Sequence, residues 1–106
     1  MEGFDLKKAG ARPVKERSVE SQTVTHAKKI GYFSAKVKFE GHKGASDRIF
    51  IGWGDVFFIE FKRPKGGKIS GTQKVFRNVM ASHGINVFFA KTAEEGKQII
   101  DSRNRE

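Results

Sequence analysis

The sequence predicts one α/β domain in which a mixed β-sheet is flanked by helices, in the order α-β-β-β-α-β-α. Three observations carry this. The segment DVFFIEFK at 55–62 is dense in Val, Phe and Ile, as in a strand covered on both faces. The stretch from Phe33 to Phe39 alternates apolar and polar residues, which is the strand period. Val75, Phe76, Val79 and Met80 follow at helical spacing, ahead of another short apolar run. With 106 residues there is length for one core and none for a second.

Taken in order, residues 1–12 mix Gly, Ala, Lys and Arg without periodicity and are expected to form a flexible basic arm. That leaves 13–106 as the folded domain. A helix is expected from Pro13, a good first-turn residue, to Ile30, with Gly31 as its C-cap. Val19, Thr23, Ala27 and Ile30 form its apolar stripe. Phe33, Ala35, Val37 and Phe39 then alternate with Ser34, Lys36 and Lys38 in a half-buried strand. EGHKGAS, with two glycines, is a loop. Strands at 48–52 and 55–62 are joined by Trp53-Gly54, and so short a connection implies an antiparallel hairpin. After the polar loop PKGGK, Ser70 is an N-cap for a helix to about Ser82 that Gly84 ends, with Val75, Phe76, Val79 and Met80 on its inner face. Residues 86–91 make the fourth strand, and Thr92 caps a last helix that fades into DSRNRE.

Composition narrows the function. Twenty-one Lys and Arg against twelve Asp and Glu leave a net charge of +9, which favours a polyanionic partner, nucleic acid first. No apolar run approaches the roughly 20 residues needed to span a bilayer, and no basic helix has a large apolar face suited to a membrane surface. The opening MEGFDLKKAGARPVKER has positive charge without an apolar centre, so an intracellular, cytoplasmic protein is expected. The absence of cysteine removes disulfide scaffolds, thiolate zinc sites and cysteine nucleophiles.

Chemistry gathers at the end of the third strand. Residues two apart on a strand share a face, so Glu60 and Lys62 point the same way. Two ionised side chains at the end of a Phe- and Ile-rich strand are costly unless something compensates them. In a hairpin turning at Trp53-Gly54, the start of the second strand lies opposite the end of the third, which brings Asp47 beside Glu60 and Lys62. The repulsion between two such carboxylates is relieved by a hard divalent cation, Mg²⁺ or Mn²⁺. A metal there polarises a phosphoryl oxygen and activates water. Lys62 is suited to stabilising developing negative charge or orienting the water. An E-x-K by itself is usually a solvated edge-strand pair, and it is the upstream Asp47 and the basic charge that set this one apart.

The layout of a helical acid, an Asp opening one strand and E-x-K closing the next resembles the PD-(D/E)-x-K nuclease superfamily. More narrowly, the chain resembles the VRR-NUC family of virus-type replication and repair nucleases. KGASDRIFIGWGDVFFIEFKRPKGGKISGTQ is similar to that family's central stretch, and GYFSAKVKF, including Lys36, to the strand before it. The likeness extends over roughly residues 16 to 100. It implies a restriction-endonuclease-like core, with Asp47 and Glu60 as metal ligands, Lys62 as the catalytic lysine and Gln73 as support. It further implies that the Phe61 backbone carbonyl reaches the metal, and that an acid of the first helix, Glu16 or Glu20, completes the shell directly or through water. Ser46 departs from the family, which usually has Pro before the aspartate. Proline there fixes a backbone turn.

Lys36, Lys43, Arg48, Arg63, Lys65 and Lys68 are the expected DNA-phosphate contacts. His26, His42 and His83 are isolated and expected to be structural or surface residues. Trp53, at a hairpin tip, is placed to touch DNA or a partner subunit. The reading is a metal-dependent, structure-selective DNA endonuclease. The resemblance suggests branched substrates such as four-way junctions and a homodimer, which suits a domain with so little surface of its own. The competing readings are a basic DNA-binding module that keeps the fold without cleaving, and a ribonuclease or ribosome-associated protein.

Overall fold

DVFFIEF takes its place inside the sheet with neighbours on both edges, as its continuous apolar content requires. The computed structural model describes residues 16–46, 48–63 and 66–104, and of residues 16 and 17 the backbone only. The basic arm, Pro13, Asp47 and Lys65 therefore lie outside the described residues. Within them the order is α1 (Glu16–Ile30), β1 (Phe33–Lys36), β2 (Arg48–Gly52), β3 (Asp55–Phe61), α2 (Gly71–Ser82), β4 (Asn86–Ala90) and α3 (Ala93–Arg103). This is the predicted α-β-β-β-α-β-α order. None of the described helices is long and apolar enough to cross a membrane.

The sheet has the order β1-β2-β3-β4, antiparallel at the first two junctions and parallel at the third. The β2–β3 turn is the two-residue Trp53-Gly54, with φ of 56° and 73°. Positive φ at both positions suits the right-handed twist of a hairpin, although a tryptophan there carries a cost of about 1–2 kcal/mol. Its indole packs over Gly31, where a Cβ would come within 3.3 Å of Cζ2.

The register sorts side chains onto two faces. Phe50 opposes Phe57 and Ile49 opposes Phe58. By alternation Ser34, Lys36, Arg48, Phe50, Phe57, Ile59 and Phe61 share one face, and Phe33, Ile49, Ile51, Val56, Phe58 and Glu60 the other. The first face lies under α1 and α3, where Val19, Ala27, Phe50, Phe57, Ile59 and Ile100 are fully buried. The predicted stripe of α1 is borne out, with Val19, Thr23 and Ala27 all inaccessible.

Two expectations need correction. The first strand ends at Lys36 instead of continuing to Phe39. The chain bends so that Phe39 meets Phe58 and Phe76 edge-on, at ring-centroid distances of 5.7 and 5.3 Å. That contact replaces further ladder pairing. The second correction concerns α2, where Val75 and Val79, predicted to face inward, are 61% and 50% exposed. Phe76 and Met80 are the half-buried pair, and no residue of α2 is fully buried. The helix lies mainly beside β4, so one side of its apolar stripe has no sheet beneath it.

Candidate active site

Glu60 is the penultimate residue of β3, and Lys62 lies one residue beyond its end. The Lys62 N–H donates to the Ala90 carbonyl at 2.8 Å, which continues the tie to β4 and keeps the two-residue period intact. The side chains are therefore on one face, with Lys62 Nζ 3.9 Å from Glu60 Oε2. Both are largely buried, at 16% and 15% exposure. At such exposure the two opposite charges lower each other's desolvation cost.

Gln73 joins them, and the local sequence dictates how. Ser70 is the N-cap of α2, and its Oγ accepts from the Gln73 N–H at 3.1 Å. The Gln73 side-chain oxygen in turn accepts from the Ser70 N–H at 3.0 Å, completing a capping box. With its oxygen held by the cap, the amide must present Nε2 outward, and Nε2 donates to Glu60 Oε2 at 3.0 Å. The amide orientation is thus assigned by two partners that agree. The start of α2 holds the Glu60 carboxylate through a side chain that is itself part of the helix cap. The connection from β3 to α2 folds back tightly, since a Cβ on Gly67 would lie 2.6 Å from the Arg63 carbonyl and 3.1 Å from Lys62 Cβ.

The structure brings Glu60, Lys62 and Gln73 together, and Asp47 and the Glu16 side chain lie outside the described residues. Glu20 is elsewhere. Its Oε2 accepts from Arg48 Nε at 2.9 Å and lies 3.9 Å from Lys36 Nζ, on the face opposite Glu60. Arg48, expected against phosphate, is only 15% exposed and also donates from Nη1 to Ser34 Oγ at 3.3 Å. That inward brace between α1 and the sheet is what sequence reasoning missed. A cation at a strand start preceded by a helical acid was its only signal. Phe61 turns its ring into the core between Glu60 and Lys62. Lys36, Lys43, Arg63 and Lys68 are exposed. His26 bridges α1 to Asp101 of α3 at 2.8 Å, while His42 and His83 are on the surface, as expected.

The groups assembled here are a carboxylate, an amide and an ammonium, and the chain has no cysteine to offer a thiolate. Of these, the Glu60 carboxylate is a hard oxygen donor of the kind that suits Mg²⁺ or Mn²⁺, while the Gln73 amide oxygen is taken up by the Ser70 cap. Among the described residues no three His, Asp or Glu side chains gather closely enough to hold a metal by themselves.

A solved structure described as a VRR_NUC domain superposes on this chain with a TM-score of 0.77 at 22% identity, covering 87% of this chain and 100% of that one. The chain therefore shares the fold of that VRR_NUC domain. No family model matches the sequence, and no curated protein matches it.

Proposed function

We propose that the chain is a metal-dependent, structure-selective DNA endonuclease that hydrolyses phosphodiester bonds, with branched DNA such as four-way junctions as substrate. The observation that carries this is the shielded Glu60–Lys62–Gln73 arrangement at the end of β3, on a nuclease fold. Asp47, which directly precedes Arg48 at the start of β2, supplies the second carboxylate. With Glu20 engaged by Arg48, Glu16 is the better candidate for the helical acid. Glu60, Asp47, the Phe61 carbonyl and that acid would hold Mg²⁺ or Mn²⁺. When bound, the metal supplies charge for the phosphoryl oxygen and lowers the pKa of water. Lys62 stands where negative charge develops or the nucleophile is oriented, and Gln73 keeps Glu60 from turning away.

Lys36, Lys43, Arg63, Lys65 and Lys68 are the proposed phosphate contacts, so affinity falls steeply with salt. The reading includes a homodimer. Phe33, Ile51, Trp53, Val75 and Val79 leave apolar area uncovered that a second copy would bury.

The deciding assay incubates labelled four-way junction, flap and linear duplex with the protein in Mg²⁺, Mn²⁺ or EDTA, alongside Lys62→Ala and Asp47→Asn. The expected result is metal-dependent cleavage that favours the junction, is absent in EDTA, and falls in each variant by on the order of 10²–10⁴-fold. Metal-independent nicking, or full activity in both variants, sinks the mechanism. Binding without cleavage under every condition makes the chain a DNA-binding module.

A further inference from the structure

The loop leading to Asp47 is fastened at two points. At Gly44, φ is +80°, and a Cβ would lie 2.5 Å from the Thr72 carbonyl carbon, 2.6 Å from its oxygen and 2.7 Å from the Gln73 nitrogen. The loop backbone thus rests directly on the peptide that begins the Gln73 turn of α2, and only glycine combines that approach with that φ. Two residues later Ser46, 1% exposed, donates from Oγ to the Ile59 carbonyl at 3.1 Å. Thr23 and Ser46 are the two fully buried polar residues among those described. Thr23 bonds within its own helix, to Val19. Ser46 instead ties a loop to a strand thirteen residues away, at the carbonyl immediately before Glu60.

We infer that Ser46 and Gly44 are positioning residues, a two-point clamp that sets the loop bearing Asp47 against the Glu60–Gln73 pair. The inference rests on the proposed nuclease reading and extends it to residues that touch no substrate. It accounts for the departure at Ser46. A proline there restrains the loop through a fixed φ. Serine leaves φ unrestrained, and its buried hydroxyl restrains the loop by a long-range hydrogen bond. Loss of that bond leaves the Ile59 carbonyl short of a partner in a dry environment, and the loop is then free to shift. A shift of the second carboxylate relative to Glu60 weakens metal binding and turnover more than the grip on DNA, because of the proposed phosphate contacts only Lys43 belongs to this loop.

The test uses the full chain as wild type, Ser46→Ala, Ser46→Thr and Ser46→Pro. Mn²⁺ binding is measured by calorimetry without DNA, amide exchange across residues 44–48 by mass spectrometry, and cleavage kinetics on a labelled junction. In Ser46→Ala, exchange at 44–48 is expected to quicken while α1 and α3 stay protected, and Mn²⁺ affinity to fall about tenfold. The expected loss in kcat is about 10- to 100-fold, with KM changed less than about twofold. Ser46→Thr keeps the hydroxyl and Ser46→Pro restores the fixed φ, so recovery in either supports the clamp. Wild-type exchange and Mn²⁺ affinity in Ser46→Ala overturn it, as does a loss that appears wholly in KM. If the wild type binds Mn²⁺ but cuts no DNA, the nuclease reading fails while the clamp is still judged by exchange and metal affinity.

Discussion

The two faces of the sheet differ in how they are closed. Under α1 and α3, Phe50, Phe57, Ile59 and Ile100 are sealed with Val19 and Ala27, and Phe50 stacks on Phe57 at 5.4 Å. The face under α2 is only part covered. Phe39, Phe58 and Phe76 form an aromatic cluster there, Phe33 and Ile51 stay exposed, and the charged Glu60–Lys62 pair sits at the strand end. Two helices cross the first face, and a single helix displaced toward β4 covers the second. Stability is therefore concentrated on one face, which leaves the other free to carry charge, a site and uncovered apolar surface.

Substitutions that act on one face alone test this division. The largest expected effect on stability is Phe57→Ala, which opens a cavity in the sealed face and is expected to lower unfolding free energy by about 3–5 kcal/mol. Thermal melting checks it, and a shift below about 5 °C would show that the sealed face does not dominate. Next is Glu20→Gln. Arg48 would keep a hydrogen-bond partner but lose a counter-charge at low exposure, for an expected cost of about 1–2 kcal/mol by denaturant titration. Cleavage should persist in this variant, because the pair faces away from Glu60. Loss of metal binding with unchanged stability would return Glu20 to the metal shell.

Smaller effects sharpen the contrast. The Tyr32 hydroxyl is buried without a hydrogen-bond partner among the described residues, so Tyr32→Phe should be neutral or stabilising by up to about 1 kcal/mol. Burial, then the Asp55 charge, raises the Tyr32 pKa, partly opposed by Arg103. The folded state thus favours the neutral phenol. Its contribution is fully present below the unfolded value of about 10 and is lost as pH rises beyond it. Melting at pH 8 and pH 11 should show a steeper decline for wild type than for Tyr32→Phe. The smallest effect on the isolated chain is Val75→Ser with Val79→Ser, expected to change its stability by less than about 0.5 kcal/mol per site. The proposed homodimer makes the opposite demand on that pair, and sedimentation should show the double variant as a monomer.

Much of the fold was legible because it is local. The element order, the two-residue hairpin turn and the Ser70 cap follow from period and from residues with narrow backbone preferences. The same-face placement of Glu60 and Lys62 needs only the strand repeat. A strand period also told which residues share a face with Phe33, and the helix period which share one with Val75. Neither period says what that face meets. Exposure of Val75 and Val79 was decided by where α2 came to rest, and the end of the first strand by the pull of Phe39 toward Phe58 and Phe76.

The site divides the same way. Glu60, Lys62 and the glutamine at Gln73 were identifiable from spacing and resemblance, but the direction of the Gln73 amide depends on the Ser70 backbone and Glu60 acting on its two ends at once. Arg48 read as a phosphate contact because a sequence shows charge without orientation. Only the packing of α1 on the sheet turned it toward Glu20. Ser46 read as a missing proline until its hydroxyl was seen on the Ile59 carbonyl. By itself the sequence determined the elements, their order and the chemical groups at the end of β3, because short-range sterics and periodicity set these. The tertiary structure decided which partner each polar group took and which apolar face stayed open, because those depend on contacts between residues far apart in the chain.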